Sequence, residues 1–411
     1  EIGVRLVGSE MCIRDRIMGV VKADGYGHGY LEVAKTLLEN GADSLGVAFL
    51  DEAIQLRLCG IDTPILILGN TPSKYAEELI ENDIMPNCYT KELAVAMSNA
   101  GAKLNKAGKI HIKIDTGMGR VGFRYTEDEK INKQTVDEII EISKLPYLEI
   151  DGLFTHFAIA DDDDDEYTML QYNRFNTLCS RIREAGVKVP LCHCCNSAAL
   201  MRFPEFHMDM VRPGIILYGL MPSDFVSKDI LNLKPAMSLK AQITNIKTVE
   251  KGTSVSYGRK FKTKNNETKI ATVPIGYADG YSRILSDKTE MIVKGKKCRQ
   301  VGNICMDQCM IDVTDVNNIN IGDEVILFGK SSEGAEIPIE NIASIMGTIN
   351  YEILCVIGKR IPRVYMRGGK VADVIVFMDH FELHGFSSFQ IVNVWLGAVI
   401  SLSLIHISEP T

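Results

Sequence analysis

Residues 17–29 read Ile-Met-Gly-Val-Val-Lys-Ala-Asp-Gly-Tyr-Gly-His-Gly, an apolar run that ends in a lysine and a glycine-rich turn. The continuous apolar run is typical of a strand buried on both faces, and the glycines predict a turn that opens a helix at Tyr30. Lys22 is therefore expected at the carboxyl end of a strand. An ammonium there is costly to bury and its pKa is easily lowered, as an imine-forming lysine needs. A surface lysine that lays its aliphatic stem on apolar groups is the alternative that the spacing leaves open.

The chain from residue 20 to residue 217 alternates short apolar runs with amphipathic segments. The apolar runs predict strands at 20–23, 45–49, 65–68, 85–89, 110–115, 150–155, 191–195 and 210–217. The amphipathic segments predict helices at 31–39, 51–58, 74–81, 91–99, 130–143, 171–185 and 198–202. Eight strands that alternate with helices are typical of a parallel (β/α)8 barrel. The acidic run 161–166, which follows the sixth strand, is expected to be a solvated loop.

The pattern changes after Pro222 to short strands separated by polar turns. The strands are predicted at 236–249, 269–275, 290–293, 309–313 and 324–328, and the only helix at 338–345. A proline at the first turn suits that helix. We therefore predict an α/β barrel domain over 17–230, followed by a mainly β C-terminal domain over 231–367.

Composition excludes several classes of protein. The 411 residues are 46% hydrophobic and 24% charged, which is ordinary for a globular protein of two domains. A net charge of -8 argues against a nucleic-acid surface, which needs a basic patch. Eleven cysteines without regular spacing, and no signal peptide, indicate reduced thiols in a cytoplasm.

The two ends differ in character from the rest. Residues 1–16 show neither a targeting signal nor a helix or strand period, so we interpret them as a non-native leader on a truncated sequence. Residues 368–411 stay unassigned and are interpreted as a non-native tail. The apolar segment 389–407 is interrupted by Asn393 and lacks basic flanks, so we predict no membrane span there.

The motif Val-Val-Lys22-Ala-Asp-Gly-Tyr-Gly-His-Gly resembles the pyridoxal phosphate motif of alanine racemases. The resemblance covers roughly residues 17–365 and implies that Lys22 carries pyridoxal 5'-phosphate as an imine. It also implies a barrel followed by a β domain, and a strand and helix ahead of the lysine strand for which too few suitable residues remain here.

In a (β/α)8 barrel the active site lies at the carboxyl ends of the strands, and several predicted strand ends carry reactive groups. They include Lys113 and Arg120, His156, His193, and Arg212 in Arg-Pro-Gly-Ile. Ser197 precedes a helix, where it is expected to act as an N-terminal cap whose hydroxyl could hold an anion. The resemblance assigns a larger set to the cofactor phosphate region: Tyr26, Asn196, Ser197, Gly214, Ile215 and Tyr351.

An arginine at position 212 would affect the protonation of the cofactor's ring nitrogen. Pyridoxal enzymes that need a full electron sink place a carboxylate at the pyridine nitrogen. An arginine does not give up its proton, so the ring nitrogen that faces it stays unprotonated and the electron sink is weaker. A weak sink favours return of the proton to Cα, as a racemase requires. The resemblance places Arg212 at this position, with His193 supporting it and His156 beside the ring. Without the resemblance, Arg212 would be interpreted as a rim salt bridge.

Racemisation needs an acid/base group on each face of the reacting carbon, and Lys22 serves only one. Tyr257, in Val-Ser-Tyr-Gly-Arg, resembles the second base of the family, where it reaches the cofactor of the other subunit in a homodimer. A phenol is a poor base at neutral pH unless cations such as Arg120 favour the phenolate. A packed strand tyrosine is the alternative.

The resemblance also implies how substrate is bound. Met306 matches the residue that contacts the substrate carboxylate, and Asp307 lies next to it. Tyr277 and Tyr351 match the pair that narrows the entrance, and a narrow entrance favours alanine. Lys113 precedes Arg120 by seven residues, as in family members whose lysine is carbamylated and orients the arginine. A zinc cluster at Cys192-His-Cys-Cys195 is disfavoured because alternate strand side chains point to opposite faces.

We therefore predict an isomerase, a cytoplasmic homodimeric alanine racemase that supplies D-alanine for peptidoglycan and cell wall biogenesis. We predict no metal, no nucleic acid and no membrane among its partners. A pyridoxal-dependent basic amino-acid decarboxylase is the first alternative, disfavoured by Arg212 where a carboxylate is expected. A non-catalytic pyridoxal phosphate carrier of the single-barrel type is the second, disfavoured by Tyr257 and Met306 in a second domain.

Overall fold

A computed structural model describes residues 16–375 and 390–395 of the chain. These residues fold into two compact units. Unit 1 comprises 16–20, 41–214 and 222–231, and unit 2 comprises 21–40, 215–221, 232–375 and 390–395. The segment with Lys22 therefore belongs to unit 2. The interpretations of residues 1–15, 376–389 and 396–411 lie outside the described residues.

The helices of the described residues are α1 (Lys22–Tyr26), α2 (Tyr30–Glu39), α3 (Leu50–Leu58), α4 (Ala76–Glu81), α5 (Lys91–Leu104), α6 (Glu129–Ser143), α7 (Asp165–Glu184), α8 (Ser197–Arg202), α9 (Ile339–Met346) and α10 (Asn350–Val356). Short 3-10 helices occur at Ser73–Tyr75, Pro204–Phe206, Ile215–Tyr218, Tyr257–Arg259, Tyr277–Asp279 and Arg283–Leu285. None of the helices in these ranges is both long and apolar enough to cross a bilayer.

The strands of unit 1 are β1 (Arg16–Val20), β2 (Ser44–Val47), β3 (Ile65–Ile67), β4 (Ile84–Met85), β5 (Asn87–Cys88), β6 (Gly108–Asp115), β7 (Phe123–Arg124), β8 (Leu148–Phe154), β9 (Leu191–His193) and β10 (Met210–Val211). The strands of unit 2 are β11 (Met237–Gln242), β12 (Asn245–Glu250), β13 (Ser254–Val255), β14 (Phe261–Lys262), β15 (Glu267–Val273), β16 (Glu290–Val293), β17 (Lys296–Arg299), β18 (Cys309–Asp312), β19 (Glu324–Lys330), β20 (Glu336–Ile337), β21 (Arg363–Arg367), β22 (Lys370–Ile375) and β23 (Gln390–Trp395).

Unit 1 is a parallel barrel, which confirms the predicted fold class. Its strands form two parallel arcs, β10-β1-β2-β3-β4 and β5-β6-β8-β9, with β7 on β6. Pro86 interrupts one strand into β4 and β5, because proline has no N–H for the ladder. Backbone bonds from Asp209 N to Cys192 O (3.1 Å) and from Arg212 N to Cys195 O (3.0 Å) join β10 to β9 and close the ring.

The barrel interior is filled by side chains from strands on both arcs. One buried cluster combines Met18, Leu66, Met85, Leu191 and Met210. The β1 register pairs Ile17 with Val211 and Gly19 with Leu45. The interior is thus a packed core rather than a pore, so reactive groups belong at its rim.

Several predicted boundaries in this part of the chain are wrong, and the structure gives the cause for three of them. The first strand ends at Val20 rather than residue 23, because the backbone turns left-handed at Ala23. The eighth ends at Val211, since Pro213 follows and residues 215–218 form a 3-10 helix. Helix α7 begins at Asp165, within the acidic run 161–166 that was predicted as a loop. Asp164 caps the helix, because its side chain accepts from Tyr167 N at 3.1 Å. Acidic groups at a helix N-terminus are favoured by the helix dipole.

Unit 2 is mainly β, as predicted. One sheet has the order β17-β16-β19-β11-β23-β21-β22 with β20 on β19, and a second has the order β12-β15-β18. The predicted strand 236–249 is in fact two strands, β11 and β12, which enter different sheets. The prediction of a single helix is wrong as well. Asn350 begins α10, which buries Ile353 and Leu354 against the rest of the unit.

Candidate active site

Lys22 lies at the start of a left-handed turn, and residues 22–29 are called the Lys22 loop below. Ala23, Asp24 and Tyr26 have φ angles of 54°, 56° and 52°. A left-handed conformation costs a non-glycine residue about 1–2 kcal/mol, so neighbouring contacts must hold the loop. Asp24 supplies one of them, because its Oδ1 accepts from Tyr30 N at 2.9 Å and anchors α2.

Strand β21 holds the other end of the Lys22 loop. Arg363 Nε donates to Gly27 O at 3.2 Å, and Tyr365 Oη donates to His28 O at 2.9 Å. A Cβ at Gly27 would lie 2.2 Å from Leu354 O, and one at Gly29 would lie 1.8 Å from Tyr365 Oη. The glycines are therefore required by close approach as well as by their positive φ.

Arg363 and Tyr365, called the β21 clamp below, are both fully buried. Arg363 also donates to the carbonyl oxygens of Gly358, Ile361 and Ile357 at 2.6, 2.7 and 2.9 Å, and burial lowers its pKa. Sequence reasoning missed the clamp, because Arg-Val-Tyr near the end of a strand carries no local sign of distant carbonyl partners. The available signal was an arginine at the first position of a strand whose next three residues, 364–366, are largely apolar.

Tyr26 packs in an aromatic group within unit 2. Its ring centroid lies 4.8 Å from that of Tyr218 and 6.1 Å from that of Tyr351, which is on α10. Burial raises the pKa of Tyr26, so the phenol keeps its proton at neutral pH. Tyr26 can therefore act as a hydrogen-bond donor. Tyr218 was not among the predicted site residues. Ile215 was among them, and it is buried at the start of the same 3-10 helix as Tyr218.

Arg212 is buried at the end of β10 in unit 1. Its Nη1 contacts His193 Nδ1 at 2.8 Å, and its Nη2 donates to Thr155 O at 2.8 Å and Cys194 O at 2.9 Å. His156 Nδ1 is 3.3 Å from the same Nη2. Burial lowers the pKa of Arg212 to about 10, which still leaves it cationic at pH 7. These contacts use both N–H groups of Nη2 and one of Nη1, so the Nε–H and the second Nη1–H are the donors of Arg212 that can serve a ligand.

Two buried histidines link Arg212 to a carboxylate, and this part of the site was not predicted beyond His193. His193 Nε2 lies 2.9 Å from His111 Nδ1, and His111 Nε2 lies 3.4 Å from Asp151 Oδ2. Arg212 can only donate, so His193 Nδ1 accepts and its Nε2 carries the proton toward His111. By the same logic His111 carries its proton on Nε2, toward Asp151. The order of donors thus runs from Arg212 through His193 to His111, whose Nε2–H faces the Asp151 carboxylate without a hydrogen bond.

Burial keeps this chain of histidines neutral. Burial lowers the pKa of His111, although the Asp151 carboxylate acts in the opposite direction. Burial and the charge of Arg212 both lower the pKa of His193, well below its usual value. The contact with His111 in turn holds the pKa of the Asp151 carboxyl low. At 3.4 Å the His111–Asp151 contact is an electrostatic one rather than a hydrogen bond.

The N-terminus of α8 differs from the prediction. Asn196, not Ser197, is the cap, because its side chain accepts from Ala199 N at 2.9 Å. Ser197 is the first helical residue, and its buried Oγ accepts from Gly214 N at 2.8 Å. The structure therefore brings Asn196, Ser197 and Gly214 together, with Asn196 as the cap and Ser197 as the acceptor for Gly214 N.

Lys113 is buried on β6, whereas Arg120 is exposed. The Lys113 ammonium nitrogen lies 4.6 Å from the Phe154 ring centroid. Burial, together with the charges of Arg212 and Arg120, lowers the pKa of Lys113 well below its usual value. Its amine is therefore more nucleophilic than that of a surface lysine.

The remaining predicted residues form an exposed rim of unit 2, defined here as Tyr257, Tyr277, Met306 and Asp307. Tyr257 is 70% exposed, Met306 54% and Tyr277 43%. Ser256 Oγ contacts Cys305 Sγ at 3.5 Å, and Tyr277 N donates to Cys305 O at 3.1 Å, so residue 305 joins the rim. Arg360 pairs with Asp279 at 2.6 Å and with Asp307 at 2.7 Å, which neutralises part of the acidic charge there.

Comparison with known proteins identifies the family. The family model for the alanine racemase N-terminal domain matches residues 5–222, and that for the alanine racemase C-terminal domain matches residues 236–365. The chain belongs to the alanine racemase family. Alanine racemases are amino-acid isomerases that depend on pyridoxal phosphate.

Individual alanine racemases match over most of their length. The alanine racemase of Clostridium tetani (strain Massachusetts / E88) is 49% identical over 365 residues, which are 89% of this chain and 92% of the relative. The structure of the Clostridium difficile 630 alanine racemase is 45% identical with a TM-score of 0.83, covering 89% of this chain and 92% of that one. The Bacillus anthracis alanine racemase with bound L-Ala-P is 40% identical with a TM-score of 0.80, covering 88% and 91%.

The described residues fit pyridoxal phosphate by their donor chemistry. Lys22 has the primary amine that an aldehyde requires, and Arg212 has N–H donors of the kind that an unprotonated pyridine nitrogen would accept from. Ser197 Oγ accepts from Gly214 and can still donate its own proton to a phosphate oxygen. Tyr26, which stays protonated, adds a second hydroxyl donor. The chain thus offers an N–H donor for the ring nitrogen and hydroxyl donors for the phosphate oxygens.

Proposed function

We propose that this protein interconverts L- and D-alanine by a two-base mechanism, with Lys22 and Tyr257 as the two acid/base groups. Pyridoxal phosphate, when bound, delocalises the negative charge that develops at the α-carbon. Lys22 would hold the resting cofactor covalently, and once the substrate amine displaces it, its free amine would move a proton on one face of that carbon. Tyr257 of a second copy moves a proton on the opposite face. The enzyme can therefore convert L-alanine to D-alanine and D-alanine to L-alanine, because each of the two groups can act as acid or as base.

The motifs of Lys22 and Arg212 support the proposal that both serve one cofactor. Each residue follows a parallel strand in the sequence, Lys22 after β1 and Arg212 after β10. The carboxyl ends of barrel strands are where this fold carries its reactive groups. Arg212 then keeps the ring nitrogen unprotonated, which favours proton return over side reactions.

The exposed rim of unit 2 supports a homodimer with composite active sites. Tyr257, Tyr277 and Met306 are all exposed, and aromatic residues and methionine are enriched in protein interfaces. A second copy would bring Arg120 or another cation to the Tyr257 phenol and favour the phenolate that a base requires. We propose that each active site takes Lys22 from one copy and Tyr257 from the other.

The substrate assignment rests on the same rim. We propose that Met306 and its neighbours receive the substrate carboxylate, and that Asp307 does not repel it because Arg360 neutralises Asp307 at 2.7 Å. Tyr277 and Tyr351 are proposed to narrow the entrance to the width of a methyl group. A cytoplasmic enzyme of this kind would supply D-alanine for peptidoglycan. The domain limits 17–230 and 231–367 also stay a proposal.

Lys113 is proposed to carry a carbamate. Only an unprotonated amine attacks carbon dioxide, and burial lowers the pKa of this one. The resulting anion would lie near Arg120 and Arg212, whose charges favour it. Mass spectrometry of the intact protein under bicarbonate should show a carbon dioxide adduct that Lys113→Met lacks; an adduct that persists in Lys113→Met would refute the assignment.

The decisive experiment is Tyr257→Phe, with α-proton exchange followed separately for L- and D-alanine in deuterated water. Loss of one acid/base group is worth about 10²- to 10⁴-fold, so exchange from one enantiomer should fall by that factor while the other persists through Lys22. Cofactor absorbance should be unchanged. The buried Tyr281→Phe, in the same unit, is the matched control. Exchange of both enantiomers at the wild-type rate would exclude Tyr257 as a base.

Mixing two inactive variants tests the composite site. Lys22→Ala and Tyr257→Phe subunits are unfolded, mixed and refolded together. Random pairing makes half of the dimers mixed, each with one intact site of two, so about a quarter of wild-type activity should return. No recovery in a mixture that does contain mixed dimers would show that both groups of a site come from one chain.

A further inference from the structure

Two buried histidines of unit 1 are linked in series to Arg212, and they lie on the strands that flank β8. His111 is on β6 and His193 is on β9, and both are fully buried. His193 Nδ1 accepts from Arg212 Nη1 at 2.8 Å, and His193 Nε2 lies 2.9 Å from His111 Nδ1. The proposed function uses Arg212 but gives His111 no task. Burying an imidazole costs free energy, so the place of His111 in this series requires an explanation.

Strand β8 makes room for the His111 ring with a glycine. Gly152 is the register partner of His111, and a Cβ at Gly152 would lie 2.5 Å from His111 Nδ1 and 2.6 Å from its Cε1. The next nearest atom, Leu191 O, would be 3.1 Å away. The φ of Gly152 lies outside the left-handed region, so other residues could adopt its backbone conformation. The glycine is therefore needed for the close approach of His111.

Phe154, the register partner of His193 on β8, fixes the plane of the His193 ring. The two rings are stacked, with centroids 5.0 Å apart and an angle of 1° between their planes. Arg212 Cζ lies 5.5 Å from the Phe154 centroid, within the range of a cation–π contact. Stacking of this kind resists tilting of the imidazole. It does not decide which edge of the ring faces Arg212, because a flip within the stack keeps the same plane.

Hydrogen bonds decide which nitrogen of His193 faces Arg212. A guanidinium only donates, so His193 must present a bare nitrogen to it and carry its proton on the other nitrogen. That buried N–H needs an acceptor, and His111 Nδ1 is in place for it at 2.9 Å. Asp151 Oδ2 lies 3.4 Å from His111 Nε2. The negative charge of Asp151 favours the tautomer of His111 with its proton on Nε2, which leaves Nδ1 as the acceptor.

We propose that His111 is a positioning residue for Arg212. By accepting from His193 Nε2, it selects the one ring orientation and tautomer of His193 that presents an acceptor to Arg212 Nη1. Without that acceptor, the other tautomer gains population, and a proton on the nitrogen that faces Arg212 pushes the guanidinium away. The effect on the reaction rests on the proposed function of Arg212, whereas the effect on His193 does not require turnover.

¹⁵N NMR of the histidines in the cofactor-loaded protein tests the assignment directly. His111→Leu removes the acceptor, whereas His111→Asn is the matched variant that places a carboxamide oxygen close to the position of Nδ1. The His193 signals are those lost in His193→Gln. We expect one His193 tautomer, with Nε2 protonated, in the wild type and in His111→Asn, and a mixture of tautomers in His111→Leu. A single unchanged tautomer in His111→Leu would overturn the inference, as would the same mixture in His111→Asn.

Gly152→Ala provides a second test that keeps the histidine. Its methyl group would lie 2.5 Å from His111 Nδ1 and displace that ring, so the same mixture of His193 tautomers is expected. Gly46→Ala on β2 is the control, because the nearest atoms to its Cβ would be side-chain atoms of Leu68 and Met18, at 3.2 Å. It should leave the His193 signals unchanged. Wild-type His193 signals in Gly152→Ala would refute the role of His111.

Turnover of alanine supplies an independent readout. An Arg212 that has moved no longer keeps the ring nitrogen of the cofactor unprotonated, so transamination to pyruvate should gain on racemisation. The ratio of pyruvate formed to alanine racemised should rise about 10-fold in His111→Leu and stay at the wild-type value in His111→Asn. An unchanged ratio in His111→Leu would show that His111 does not act through Arg212. A wild type that does not racemise alanine would refute the proposed function alone, since the NMR result would still decide the role of His111.

Discussion

Replacing Tyr365 with phenylalanine tests whether the β21 clamp positions the Lys22 loop. The change removes one oxygen, whose hydrogen bond to His28 O measures 2.9 Å. Tyr365 is fully buried, and a Cβ built on Gly29 would lie 1.8 Å from the same oxygen, so the carbonyl loses its donor in a crowded place. An unpaired buried acceptor costs about 1–3 kcal/mol. Urea denaturation should show a loss of that size.

The matched control is Tyr281→Phe, which removes a buried hydroxyl bonded to Thr289 Oγ1 at 2.5 Å in the same unit. It should cost a similar free energy of unfolding, because the chemistry deleted is the same. Only Tyr365→Phe, however, releases the loop that carries Lys22. We expect its Kd for pyridoxal phosphate, measured by absorbance titration, to rise about 10-fold, which corresponds to about 1.4 kcal/mol. Equal cofactor affinities in the two variants would refute the idea that the clamp positions the loop.

Two further predictions follow from the same loop. Gly27→Ala should abolish cofactor binding, because its Cβ would lie 2.2 Å from Leu354 O at a φ of 77°. Gly347→Ala is the control, because its φ is 71° but no atom lies within 4 Å of the added Cβ, so only backbone strain of about 1–2 kcal/mol is expected. Its cofactor binding should be unchanged. Equal loss of cofactor binding in the two variants would contradict the steric argument. Acid should also destabilise the protein between pH 6.5 and about 4, since the unfolded chain binds a proton at His28 that the native state refuses. The lowered pKa of His28 corresponds to about 3 kcal/mol of unfolding free energy. The lowered pKa values of His111 and His193 change the stability in the same direction. A urea midpoint that stays unchanged from pH ~7.5 to ~5 would refute this prediction.

Local sequence determined much of the fold and the identity of the reactive groups. The alternation of apolar and amphipathic segments was sufficient for the barrel, because helix and strand periods are properties of neighbouring residues. Glycine spacing marked the Lys22 loop for the same reason. The motifs also named Ser197, which follows the predicted seventh strand, and Arg212 and Gly214, which the prediction placed inside an eighth strand that in fact ends at Val211. Boundaries such as the start of α7 were missed where a capping side chain outweighed charge repulsion.

Contacts between distant positions were decided only by the tertiary structure. Arg363 reaches a carbonyl 336 positions away and His111 reaches a ring 82 positions away, and no local spacing encodes either distance. The cap of α8 is a second example. Asn196 caps the helix, whereas Ser197 Oγ accepts from Gly214 N, a residue that is distant in the sequence. A side chain's partner depends on which strands become neighbours and in what register, and that is settled by burial of the whole core rather than by the residues on either side.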